Sequence, residues 1–248
     1  MNILLSQCKL ELVRTLRNPF FLVFSVIMPV AFYFIFSNTV GNTQQVDGVA
    51  WNAYYLMSMT IFGLVGAAIS TFGIGLAQEG SQGWIKQMKV TPLPTWIYYA
   101  AKLFTQSIIN AVIIIVMFLA GSLLNDVDLA TSQWIYSGLW IWIGVLPFLA
   151  LGMVVGQFKT VDTASIFANI SHLGLALLGG LWMPLDAMPK LMQTIGEWMP
   201  TNRYGEGAWN IIAGRGLNVT DILLLSSYFI IFAGVAIIIS KKRTVQEA

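Results

Sequence analysis

Six apolar windows, each near the length needed to cross a bilayer and together holding a single charged residue, constrain this chain more than any other feature. They are Pro19–Phe36, Tyr54–Ala77, Ile97–Leu124, Trp134–Phe158, Ala164–Met183 and Ile222–Ser240. A hydrocarbon core of about 30 Å takes roughly 20 apolar residues of helix. Stretches such as Ala111–Leu119 and Ile230–Ile239 are apolar on every face, as helices immersed in lipid are. The alternating pattern of a membrane β-barrel is missing. Composition closes the other routes: 57% hydrophobic and 10% charged residues cannot coat a soluble domain, in which about 25% of residues are charged. A soluble enzyme, a disordered chain and a disulfide scaffold are excluded, and the single Cys8 cannot form an internal bridge. A formal charge of +2 gives no reason to expect a nucleic-acid partner. The chain reads as an all-α integral membrane protein, one transmembrane domain over residues 1–248 with six spans at the windows named.

An even number of spans puts both termini on one side, and Lys/Arg placement says which. Lys9, Arg14, Arg17, Lys86, Lys89, Lys102, Lys159, Lys241, Lys242 and Arg243 fall on the terminal side, against Lys190, Arg203 and Arg215 opposite. The expectation is a multi-pass protein of the cell membrane with both termini cytoplasmic. Lys102, the one charge inside a window, is expected to snorkel to the headgroups from the first turns of its span. The first span is not expected to be a cleaved signal: Pro29 interrupts it and no small-x-small site follows at Ser37–Val40.

Residues 1–18 place Leu5, Cys8, Leu12, Val13 and Leu16 on one side of a helix, which suits an amphipathic helix on the membrane surface; the alternative is a basic leader that only sets topology. The loop over residues 79–95 is too polar to span. In it Trp84, Ile85, Met88 and Val90 form one apolar side of a short helix ended by Pro92 and Pro94. Such a helix is either a docking knob for a soluble partner or a seal on the bilayer surface. Between the fifth and sixth windows, residues 184–220 carry Leu191, Ile195 and Trp198, then Trp209 and Ile212, at helical spacing. These read as two short external, re-entrant helices.

Chemistry at depth needs ionisable groups, and the windows offer almost none: Asp162 and Asp221 sit at span edges. His172 lies beside Asn169 and Ser171 without a second His, Cys or carboxylate one turn away, so no metal site and no catalytic residue is expected. His172 is either a hydrogen-bonded interhelical residue or a substrate or gating contact. No Gly-rich loop ends in Gly-Lys-Ser/Thr, so the chain does not bind ATP by that motif. Gly152 and Gly156 form a GxxxG whose default role is packing within the bundle, and Pro29 and Pro147 are expected to kink their helices.

Taken together, these segments resemble the permease subunit of type-2 ABC transporters, the ABC exporter family, and the resemblance covers essentially the whole chain. Its most specific part is the loop, where Glu79, Gly83, Met88, Thr91 and Pro92 occupy the family's acidic, glycine, leucine-like and Thr-Pro places. The external run Met183-Pro184, Met188-Pro189, Met199-Pro200 and Arg203-Tyr204 is similar to the family's paired Pro-bearing helices. Trp84 and Lys86 depart from the family's small hydroxyl and acidic residues. The resemblance implies a half-transporter in which a second permease chain, identical or paralogous, completes a dimer. A separate cytosolic ATPase then carries the ATP and Mg and receives the coupling helix through Glu79, Gly83, Trp84, Met88, Thr91 and Pro92. Spans one and five line the route, with Asn169, His172, Trp182 and Trp198 as candidates for the substrate path or gate. The charge-poor spans suit a lipid-like, drug or antimicrobial-peptide substrate. Two other classes stand beside this one, a membrane enzyme using His172 as its base and a non-transporting assembly or sensor protein.

Overall fold

The computed structural model describes residues 3–18, 23–40, 45–84 and 95–246. Helix α1 (Ile3–Leu16) precedes α2, a π segment Val23–Ile27 continued by the α-helix Met28–Val40. The wider π turn sits directly before Pro29 and relieves the ladder of a donor that proline lacks. A two-residue hairpin follows, β1 (Gln45–Val46) against β2 (Val49–Ala50). Its turn, Asp47-Gly48, takes positive φ at both residues, as the right-handed twist of a tight hairpin requires.

Helix α3 (Trp51–Ser81) runs through the centre of the protein and contains a π segment at Ala67–Phe72. Every residue from 51 to 69 is buried, which is why this window is apolar all round. Around it stand α4 (Thr95–Leu124), α5 (Thr131–Gly144), α6 (Leu146–Val155), α7 (Val161–Leu178), α8 (Lys190–Gly196), α9 (Pro200–Ile212) and α10 (Val219–Gln246). Five helices among the described residues are long and apolar enough to cross a membrane: Trp51–Ser81, Ile97–Leu124, Thr131–Val155, Val161–Leu178 and Val219–Lys242. The first expected span is represented by the shorter apolar helix Ser25–Thr39, residues 19–22 lying outside the described set.

Several boundaries differ from expectation for identifiable reasons. The fourth window is divided at Val145, with Pro147 in the first turn of α6, so the expected proline kink falls there. Gly152 of α6 and Gly156 just past its end abut Ala68 and Leu76 of α3, so the GxxxG packs within the bundle. The fifth span ends at Leu178 rather than reaching Met183. Gly180 takes φ +77°, a left-handed turn that stops the helix and leaves Trp182 in the loop beyond it. The 184–220 segment is less peripheral than the two short re-entrant helices expected: Thr201, Tyr204, Trp209 and Ile212 of α9 are core residues, whereas Leu191, Ile195 and Trp198 of α8 and its end are exposed. Tyr204 donates its hydroxyl to the Ile141 carbonyl, and Trp140 Nε1 donates to the Tyr204 carbonyl at 2.8 Å. Burial pushes the Tyr204 phenol well above its ordinary pKa.

Candidate functional site

Two constellations are built on this frame. At the end of α3 nearest the termini, Glu79 is buried with 3% exposure and is held from three sides. Arg14 of α1 and Lys102 of α4 both donate to its Oε1, Lys102 at 2.9 Å, while Tyr98 of α4 donates its hydroxyl to Oε2. Lys102 also binds Glu11 of α1 and lies 5.2 Å from the centre of the Tyr98 ring. Lys102 is 6% exposed, so it does not snorkel: two carboxylates converge on its ammonium, and a paired charge has no reason to seek the headgroups. The cluster ties α1, α3 and α4 together at the root of the 79–95 loop. Helix α1 turns Cys8 and Leu12 toward α4 and leaves Lys9, Leu10, Val13, Leu16 and Arg17 exposed.

Of the residues expected to engage a partner through that loop, Glu79 therefore points inward. Gly83 takes φ +71° just past the end of α3, and Trp84 is exposed. Met88, Thr91 and Pro92 lie outside the described residues.

The second constellation begins midway along α3. His172 of α7 stacks on Phe62 with ring centroids 4.4 Å apart, and its Nε2 lies 3.1 Å from the Phe62 carbonyl oxygen, which accepts the bond. Gly66 makes room for the ring: a Cβ there would lie 2.7 Å from His172 Cε1. From Phe62 the rings continue to Trp182 at 5.9 Å, Phe32 at 6.2 Å and Phe36 at a further 6.2 Å. They go on through Tyr55 at 5.6 Å, Trp51 at 5.3 Å and Tyr54 at 6.0 Å to Trp209 at 4.5 Å. The result is an unbroken ladder from the middle of the bundle to the end opposite the termini. Trp182 and Phe36 are exposed, so the ladder opens on its α2 and α7 side. Of the four candidate path residues, the structure brings His172 and Trp182 together through Phe62. Asn169 is exposed on α7, and Trp198 lies apart, its carbonyl accepting from Tyr228 at 2.7 Å. No spacing signals the ladder, because its rings come from α2, α3, α9 and the turn after α7.

At the far end, Arg203 of α9 binds Glu206 at 2.7 Å and Asp221 of α10 at 3.3 Å. Burial, then the neighbouring Asp221, holds the Glu206 carboxyl above the usual range, with Arg203 opposing them.

The model of the family described as ABC-2 type transporter matches residues 5–212, from α1 to the end of α9. The chain belongs to the ABC-2 type transporter family. This ABC-2 permease is 46% identical over 232 residues, 94% of each chain, to YvfS of Bacillus subtilis (strain 168), a protein named as a transport permease. It is 24% identical over 179 residues, 68% of this chain and 46% of the other, to the linearmycin resistance permease protein LnrN of the same organism. An ABC-2 permease is a multi-pass membrane subunit of a transporter and not itself an enzyme, so the reading of His172 as a catalytic base falls. The family normally works with an ATPase subunit.

Proposed function

We propose that this ABC-2 permease is the membrane half of an ATP-driven exporter in the cell membrane, with six spans and both termini in the cytoplasm. It works as a dimer, with ATP and Mg held by a separate cytosolic ATPase docked on residues 79–95. The observation that carries this reading is the ion cluster around Glu79. A loop pushed by a partner transmits force only if its root is stiff, and the root of this loop is fastened to α1 and α4 by three charge-assisted or hydroxyl bonds on one carboxylate. Glu79 then acts by fixing the stem, and Gly83, Trp84, Met88, Thr91 and Pro92 supply the docking side. The test is co-purification in mild detergent: the tagged chain should bring down a soluble ATPase whose hydrolysis drives export, and a chain that isolates alone would sink the proposal.

The cargo is an amphipathic, drug-like or lipid-like molecule, and the aromatic ladder supports that choice. Its rings offer stacking faces and no fixed charge, which suits ring-bearing or conjugated amphiphiles; the resistance name of the LnrN relative points the same way. Trp182→Ala interrupts the ladder between Phe62 and Phe32. An aromatic contact is worth about 0.5–1.5 kcal/mol beyond its area, so export measured below saturation should fall roughly 2- to 10-fold. Trp142→Phe, on the exposed side of α5, should leave it near wild type; equal effects would detach the ladder from the route.

A further inference from the structure

A cavity of about 90 Å³ lies between α1, α3 and α4, alongside the ion cluster. That volume is room for about three waters or one tetrahedral oxyanion. Its deep wall is formed by buried Glu79, Lys102 and Gln106 with the Glu11 carboxylate beside them, and its rim by Arg14, Asn18 and Gln78, which are exposed. The deep charges are already engaged: Lys102 holds two carboxylates, and Glu79 has three donors. The charge left at the rim is the Arg14 guanidinium, whose side chain is 52% exposed and which gives Nη1 to Glu79. A guanidinium has five N–H donors in a rigid fork, so one nitrogen on a carboxylate leaves an edge for a second anion. Around the exposed arc of α1, Arg14, Leu10, Arg17, Val13, Lys9 and Leu16 alternate cation with apolar side chain. Such a mixed face suits a helix held at headgroup depth.

We propose that the rim of this cavity binds the phosphate diester of an anionic phospholipid of the cytoplasmic leaflet, with Arg14 as its charged partner and Gln78 as a neutral one. The inference rests on the cytoplasmic placing of α1 in the proposed function. Because the phosphate and Glu79 share one guanidinium, occupancy of the site is felt at the root of the 79–95 loop.

The experiment measures phosphatidylglycerol retained by the full chain in phosphatidylcholine nanodiscs. It needs neither ATPase nor cargo, so it stands or falls apart from the transport reading. Arg14→Gln should weaken retention about tenfold, in keeping with loss of a charge-assisted bond. The double variant Lys9→Gln, Arg17→Gln removes twice the charge from the same helix but none from the cavity rim, so it should weaken retention less than Arg14→Gln does. Equal losses in the two would mean general surface electrostatics and overturn the site. Gln78→Leu leaves the ion cluster untouched and should also weaken retention; wild-type affinity there overturns the proposal even if Arg14→Gln fails to fold. Displacement of the lipid by inorganic phosphate at matched ionic strength would assign the rim to free phosphate and overturn the lipid as its occupant.

Discussion

Lys102→Met is expected to be the most damaging single change at the terminal end of the bundle. Lys102 is 6% exposed and binds both Glu11 and Glu79. Without its ammonium, two carboxylates of α1 and α3 face each other across a cavity with only Arg14 to share. Breaking a buried pair by removing one partner costs about 3–5 kcal/mol, against a total stability of about 5–15 kcal/mol for a typical domain. Glu79→Ala should cost less, since Lys102 keeps Glu11, although the buried Tyr98 hydroxyl loses its acceptor. Arg14→Ala should cost least, because its side chain is half in solvent, where a pair is worth about 0–1 kcal/mol. The order Lys102, Glu79, Arg14 is read from thermal unfolding midpoints of the purified chain in detergent. A snorkelling lysine would put Lys102→Met last, so a neutral Lys102→Met would remove the cluster from any account of this protein. In the assembly proposed above, the same variants should lose export before they lose the ATPase subunit's hydrolysis.

The second large effect belongs to Gly66. A Cβ at that position lies 2.7 Å from His172 Cε1, well inside van der Waals contact, and neither partner can yield easily: Gly66 is in the buried core of α3, and His172 is stacked on Phe62. Overpacking of this kind costs about 1–3 kcal/mol, so Gly66→Ala should lower the unfolding midpoint. It should also lower export, because the displaced imidazole has to press on Phe62, the first ring of the ladder. His172→Ala alone should have a modest effect, because the Phe62 carbonyl it releases belongs to the α3 ladder. The double variant Gly66→Ala, His172→Ala should recover part of the loss, since the methyl then occupies space the ring has vacated. A coupling energy of about 0.5–3 kcal/mol is the range for residues in contact; strict additivity would show that the two do not share the space.

Hydropathy made the membrane-spanning helices legible, because lipid contact and burial in α3 both demand apolar residues. What it could not distinguish was the two demands themselves: the central α3 and the largely exposed α10 read alike. The Asp47-Gly48 hairpin carried a recognisable turn signature within a short polar loop. The early end of α7 lay in Gly179-Gly180, a pair that fits equally well inside an apolar window. The sequence marks Glu79 as a loop residue but not its partners, because Arg14 and Lys102 are 65 and 23 residues away and each is separately accounted for as a topology charge. The ladder was invisible for a related reason: its contacts join Phe32 to Trp182 and Tyr54 to Trp209, and no local period records such a meeting.

The π segment Ala67–Phe72 divides α3 between the two constellations, with Phe62 and Gly66 on one side and Glu79 on the other. Such a segment holds one residue more than regular helix would use, and one residue of helix corresponds to about 100° of rotation. Drawing that surplus into regular helix would therefore turn the Glu79 end about its own axis relative to the aromatic end, with the backbone bonds of the segment re-formed. Under the coupling proposed above, a push at the loop has a twist of α3 open to it as well as a piston stroke.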